Sequence, residues 1–243
     1  MQLTDTTKKI LLALLSCCFI LLLMWNNNNA LISTVSLYNA RSEFFTSESV
    51  WTTLASEFTL VDKEQNAEVR KEVRKLLADP KKLYEILKTA TPYIHFIHEE
   101  TRLRNLPAEL ALIPFIESEF NPNDRSNKGA LGLWQLMKGT AHILGVKIKA
   151  GNDERRNVVV STKAALTYFA DLGAYFNGNW YLAIAAYNCG QGKVKSAVRR
   201  AKSENFWDLK KLPRETKEYL PKLLAIAEIV QHPEKYGFEL PQV

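Results

Sequence analysis

The sequence predicts a mostly α-helical protein. Two observations carry that expectation. From Glu68 onward, apolar residues recur at spacings of three and four, and no stretch keeps strand alternation. A third observation qualifies it: short strands fit in one region only, near Gly129 to Gly151. At 243 residues, with 47% apolar and 24% charged side chains, the chain has enough material for one sizeable core with appendages.

The formal charge of +6 favours polyanionic partners: anionic lipid, cell-wall polymers or nucleic acid. Nucleic acid is the weakest of these. There is no zinc-finger spacing, arginine-rich tract or RNA-binding aromatic signature. The three cysteines (Cys17, Cys18, Cys189) make no disulfide framework. They and the four histidines show no ligand spacing, so neither a metal nor a cofactor is expected. His95 and His98 read as satisfied or exposed side chains.

The elements follow in order. Lys8-Lys9 precede an apolar run from Ile10 to Trp25, which reads as a signal anchor or signal peptide over residues 1–25. Basic residues on its N-terminal side predict that the rest lies outside the cytoplasm, in the periplasm and held at the inner membrane. No clear cleavage site follows, which favours an uncleaved anchor. Ser16-Cys17 only faintly resembles a lipoprotein box. Residues 26–65 show little periodicity and read as a spacer with some order.

Residues 66–105 read as N-terminal helices. Val69, Val73, Leu76 and Leu77 form one stripe, which Asp79-Pro80 ends. Leu83, Ile86 and Leu87 give a second helix, and Tyr93, Ile94, Phe96 and Ile97 a third. Beyond residue 137, Thr140 to Leu144 reads as a short helix closed by Gly145. Gly151-Asn152-Asp153 is a polar turn, and Ser161 is expected to cap a long helix with Ala165, Tyr168, Phe169, Leu172 and Phe176 inward. Asn177-Gly178 stops it. The next helix runs from Trp180 to Cys189, then Gly190 and Gly192 predict a tight loop. A last helix spans Arg214 to Val230.

The stretch from Leu106 to Met137 carries the chemistry. Pro107 suits a first helical position, and Glu109 is expected to meet the free N–H groups of the first turn. Leu106, Leu110 and Ile113 share a stripe whose next position is Glu117. A carboxyl at the end of an apolar stripe is costly to ionise, so its pKa rises and it can donate a proton near neutrality. The plainer reading is a helix-end carboxylate turned to water. Asn121-Pro122 breaks the helix, and a polar loop with Gly129 and Gly132 follows.

Several blocks now stand in one order: Glu117-Ser118, Ser126, Gly129-Ala130-x-Gly132-Leu133-Trp134-Gln135-x-Met137, Ala185-Ala186-Tyr187-Asn188-x-Gly190 and Glu215-Thr216-x-x-Tyr219. This set resembles the catalytic domain of the lytic transglycosylases, related to goose-type lysozyme, and most closely their membrane-bound D type. The resemblance covers roughly Leu106 to Leu240, which makes 106–243 the expected catalytic domain. It implies a lysozyme-like, goose-type helical fold with a small β element beside a cleft. It also implies non-hydrolytic cleavage of the bond between N-acetylmuramic acid and N-acetylglucosamine in peptidoglycan, leaving a 1,6-anhydro end.

In that resemblance Glu117 is the one catalytic carboxylate, acid and then base. Ser126 helps hold the acetamido or anhydro part of the product. Gln135 and Met137 line the glycan cleft, Tyr187 and Asn188 face the reacting sugar, and Glu215 lies near it. Each has a plainer alternative: Trp134 and Met137 as core, Tyr187 as a bonded core tyrosine, Ser126 as a turn residue, Glu215 as a helix-start carboxylate. Cys189 reads as a small buried filler. Ordinary glycoside hydrolysis uses two carboxylates. Glu119 falls on the opposite helix face, so Asp124 is the rival partner, and a goose-type hydrolase remains an alternative. A wall-binding scaffold without catalysis and an accessory enzyme of a secretion machine are others. The D type carries wall-binding repeats after its catalytic domain, and none occurs in these 243 residues.

Overall fold

Capping side chains start half of the described α-helices, and the computed structural model describes residues 49–60 and 66–242. The expected anchor (1–25), Cys17, Cys18 and most of the spacer lie outside the described residues. Helix α1 (Val50–Ser56) is capped by Ser49, whose Oγ accepts from the Trp51 amide at 3.3 Å. Trp51 and Leu54 on it are fully buried. Burying a tryptophan and a leucine stabilises a fold by several kcal/mol, on the order of 3–5 for the tryptophan alone. The ordered fold thus reaches back to Ser49, inside the segment expected as spacer.

Helix α2 (Ala67–Leu77) is capped by Asn66, and α3 (Pro80–Ala90) by Asp79 with Pro80 in its first turn. Their inner faces carry Val69 and Val73, then Leu83, Leu87 and Ala90. Helix α4 (Ile94–Arg102) buries Ile94, Ile97 and His98. His98 is a satisfied core histidine: its Nε2 lies 2.9 Å from Glu57 Oε2. A 3-10 turn (Ala108–Leu112) leads into α5 (Ile113–Ser118), and α6 (Lys138–Ile143) follows the polar loop.

The strands expected near Gly129 to Gly151 are small. β1 (Ile148–Lys149) pairs antiparallel with β2 (Asn152–Asp153), Ile148 opposite Asp153, around Gly151 at φ 78°. Single bridges join Arg125 to Leu131 and Leu131 to Leu136.

Helix α7 (Val158–Tyr175) starts four residues earlier than expected. Its cap is Asn157, whose Oδ1 accepts from the Val160 amide at 3.0 Å. Ser161, the expected cap, is buried one turn inside and donates its hydroxyl to the Asn157 carbonyl at 2.7 Å. Asn177 and Gly178, both at positive φ, end the helix, and α8 (Trp180–Cys189) begins behind Asn179. The tight loop expected after it is a single-residue break at Gly190, followed by α9 (Gln191–Ala201) with Gly192 in its first turn. Only Val194 and Ala197 are buried on α9, too few to show a stripe among its cations.

Helix α10 (Arg214–Gln231) is the spine. It packs on α1, α2, α8 and the 3-10 turn, burying Leu220, Leu223, Leu224 and Ile226 fully or nearly so. Among the described residues no helix is long and apolar enough to cross a membrane.

Candidate active site

Glu117 sits where it does because α5 is short and abruptly ended. Glu119 and Phe120 both take positive φ (51° and 58°), so the chain turns away directly after Ser118. Ser118 is buried and donates to the Leu133 carbonyl at 2.8 Å, tying the end of α5 to the polar loop. The start of this stretch differs from expectation. Pro107 precedes a 3-10 turn, with ψ 130°, and is not itself helical. That turn swings Glu109 into the core, where its Oε1 accepts from the Leu60 amide and its Oε2 has no hydrogen-bond partner. Burial pushes the Glu109 carboxyl up, against the Leu60, Glu109 and Thr59 amides.

Glu117 keeps one side open to a cleft, yet its carboxyl is otherwise enclosed by protein. Burial pushes its pKa up to about 7. A hydrogen bond from Tyr219 Oη to Oε1, at 2.6 Å, pulls the other way, and the charge of Glu215 adds to the rise. Tyr219 was quoted in the sequence blocks but given no role there. The available signal was its place four residues after Glu215, on the same face of a helix.

The loop opposite is held from beneath. Gly132 has φ 86°, and a Cβ there would lie 1.9 Å from the Arg155 carbonyl oxygen. Arg155 is buried; its Nη1 donates to the Gly129 and Leu136 carbonyls at 2.9 Å each, and its Nη2 lies 2.7 Å from Asp153 Oδ2. Gln135, at φ 47°, folds its Nε2 back to the Asp124 and Gly132 carbonyls at 3.0 Å each. Ser126 Oγ accepts from the Ala130 amide at 3.0 Å. Trp134 is core, its Nε1 donating to Thr162 Oγ1 at 2.9 Å, whereas Met137 is 46% exposed at the cleft.

The far wall comes from α8 and α10. Tyr187 stacks on Phe169 (centroids 4.3 Å, planes at 9°) and donates its hydroxyl to the Trp134 carbonyl at 2.8 Å. Asn188 accepts from Thr216 Oγ1 at 2.6 Å and donates to Glu215 Oε1 at 3.3 Å. Glu215 is exposed in the first turn of α10, with Lys128 Nζ 4.0 Å away.

Glu117, Ser126, Gln135, Met137, Tyr187, Asn188 and Glu215 all line one open cleft of about 620 Å³. That volume suits a site for a small ligand or part of a polymer. Ile116, Lys128, Tyr168, Glu218, Tyr219 and Lys222 line it too. Cys189 also faces it, and burial pushes its thiol up. Asp124, the rival carboxylate, does not line the cleft, and Glu119 is exposed beside Lys82 at 3.0 Å. Among the described residues no cluster of His, Cys, Asp and Glu is arranged to hold a metal ion.

A helical fold with a small hairpin, cut by a cleft around one enclosed carboxyl, defines the lysozyme-like class. The 70 kDa soluble lytic transglycosylase SLT70 from Escherichia coli has this fold, with a TM-score of 0.51 and 20% identity over 76% of this chain and 32% of that one. Residues 95–210 match the family described as the Transglycosylase SLT domain. The chain is 40% identical over 181 residues to membrane-bound lytic murein transglycosylase D of Escherichia coli (strain K12), covering 73% of this chain. It spans only 40% of that relative's length. It is also 32% identical over 120 residues to peptidoglycan transglycosylase gp16 of Escherichia phage T7, covering 49% of this chain and 9% of that one.

Proposed function

We propose that this protein is a peptidoglycan lytic transglycosylase. It cleaves the β-1,4 bond between N-acetylmuramic acid and N-acetylglucosamine and leaves a 1,6-anhydro end. The observation that carries this reading is the Glu117 carboxyl, open to the cleft and poised at about pH 7. A group at that pKa serves equally as acid and as base. Glu117 first gives its proton to the glycosidic oxygen as the C1–O bond breaks. It then takes the proton of the muramic C6 hydroxyl as that oxygen bonds to C1. No water is consumed, because the nucleophile is already held by the substrate. Ser126, Gln135, Met137, Tyr187, Asn188 and Glu215 position the sugars.

A hydrolase is the second reading, and Glu215 is the carboxylate that favours it, since it lines the same cleft and acts on Glu117. Digestion of purified peptidoglycan with mass spectrometry of the products separates the two. Anhydro ends are expected; reducing muramic ends alone make it a hydrolase. Glu215→Gln is expected to retain measurable turnover, whereas a base in a two-carboxylate mechanism could not be replaced without losing about 10²-fold or more.

Tyr219 supports Glu117 by holding its ionised form. Tyr219→Phe removes the bond that lowers the Glu117 pKa, so that pKa rises above about 7. The first step needs protonated Glu117, so the alkaline limb of the pH–rate profile is expected to move upward. An unshifted limb would show that the tyrosine only packs.

The reading extends to a membrane-associated, periplasmic enzyme, on the apolar run from Ile10 to Trp25 and the membrane-bound relative. Recovery of full-length protein from the soluble fraction alone would overturn that part.

A further inference from the structure

Between Gly190 and Arg214, eight Lys and Arg stand against Glu204 and Asp208, a balance equal to the +6 of the whole chain. Half of these cations lie on α9, which turns Lys193, Lys195, Arg199 and Arg200 to solvent around its buried Val194 and Ala197. Among the described residues none of the four makes an ion pair. Arg200 only turns back to Ser196 on its own helix. Lys195 and Arg199 stand four residues apart, where like charges destabilise a helix. The fold gains nothing from this concentration until an anion meets it.

The helix also starts in the cleft. Gly190 lines the cleft, and Lys193 acts on the Cys189 thiol. An aromatic line leaves by the same side. Tyr168 of α7 lines the cleft, and Tyr175 is seven residues on, hence on the same face and about 10 Å further along. Tyr175 is 41% exposed, and Lys195 Nζ lies 5.5 Å from its ring centroid. A ring face beside cations suits a polymer that presents sugar rings and carboxylates together. An anionic bilayer fits less well, because a membrane-binding helix pairs its cations with exposed large apolar side chains, and α9 exposes none.

We infer that α9 and Tyr175 form a strand-docking surface continuous with the cleft, and that its ligand is peptidoglycan carrying carboxylate-bearing stem peptides. The inference rests on the proposed reading of the cleft for the identity of the polymer. The surface holds the strand outside the reacting pair of sugars, with the stem carboxylates on Lys193, Lys195, Arg199 and Arg200.

The test is a pelleting assay with the Glu117→Gln protein as parent, so that the polymer is not digested. Its partner adds Lys195→Gln, Arg199→Gln and Arg200→Gln. Two polymers are compared: intact sacculi, and sacculi whose free stem-peptide carboxylates have been converted to neutral amides by a carbodiimide and ammonia. On intact sacculi the triple change is expected to weaken binding by about tenfold, roughly twofold for each exposed cation, and parental binding is expected to fall with salt. On the amidated sacculi the two proteins are expected to bind alike. Equal binding to intact sacculi overturns the proposal. So does an equal loss on both polymers, or a loss seen only on anionic phosphatidylglycerol vesicles. A matching thermal melt checks the fold; if the triple variant melts early, Arg199→Gln and Arg200→Gln singly carry the test. Product release by the unaltered enzyme is scored apart. Its absence would refute the catalytic reading while leaving the binding result to stand.

Discussion

Replacing Glu117 with Gln is expected to abolish turnover while the protein becomes more stable at alkaline pH. The amide keeps the shape and still accepts from Tyr219, but it cannot give a proton and take one back. Loss of a general acid–base costs about 10²–10⁴-fold, and here one group performs both steps, so the upper end is expected. The stability effect has a definite sign. The Glu117 pKa lies near 7 in the folded protein against an ordinary 4.5. A raised folded pKa gives stability that is fully present below about pH 4.5 and lost as pH rises to about 7. Above that the wild type carries an enclosed carboxylate and the variant does not. The variant is therefore expected to gain about 1–3 kcal/mol at pH 8 and nothing near pH 4, a range discounted for the open side of the cleft. Denaturant melts at both pH values check this. An equal difference at the two pH values would mean that Glu117 is not perturbed, and the acid–base assignment would lose its physical basis.

Gly132→Ala is expected to be the most damaging substitution that touches no proposed catalytic group. Two costs combine. The residue sits at φ 86°, where a side chain is strained by about 1–2 kcal/mol. Its Cβ would also occupy the space of the Arg155 carbonyl oxygen, and overpacking costs about 1–3 kcal/mol more. A loss of roughly 2–5 kcal/mol corresponds to a melting temperature about 10 °C lower. Activity is expected to fall as well, because relief of the clash moves the loop that carries Ser126 and Gln135. Gly129→Ala is the control. Gly129 has the same φ of 86° but nothing within 4 Å of its added Cβ, so only the strain is felt. Melts that drop equally in the two variants would show that the close approach at Arg155 does not matter.

Much of this arrangement was legible in the sequence because it rests on local rules. The stripe through Leu110 and Ile113 to Glu117, the breaks at Asp79-Pro80 and Asn177-Gly178, and the glycines of the polar loop are read from neighbours in the chain. What escaped depends on distant partners or on weak amphipathic signals. Trp51 and Leu54 look like scattered apolar residues until α10 is placed against them. Helix α9 hides behind its cations and two early glycines. Glu109 behaves as a first-turn carboxylate by rule, but the 3-10 turn aims it at Leu60, 49 residues earlier. The grouping of the seven candidate residues in one cleft was anticipated only through the resemblance, since no spacing rule brings Ser126 to Asn188. Tyr219 went unassigned because its contact with Glu117 spans 102 residues.

That span sets an order of events during synthesis. Glu117 is on α5, but the phenol that steadies it and the carboxylate beside it are on α10, which begins at Arg214. A chain still emerging holds Glu117 early, before Tyr219 and Glu215 reach it. The α10 side of the far wall exists only once residues 214–231 have arrived and packed against α1 and α2. A chain interrupted before Arg214 therefore carries Glu117 without the assembled cleft, and the proposed acid–base group meets its partners only when α10 docks.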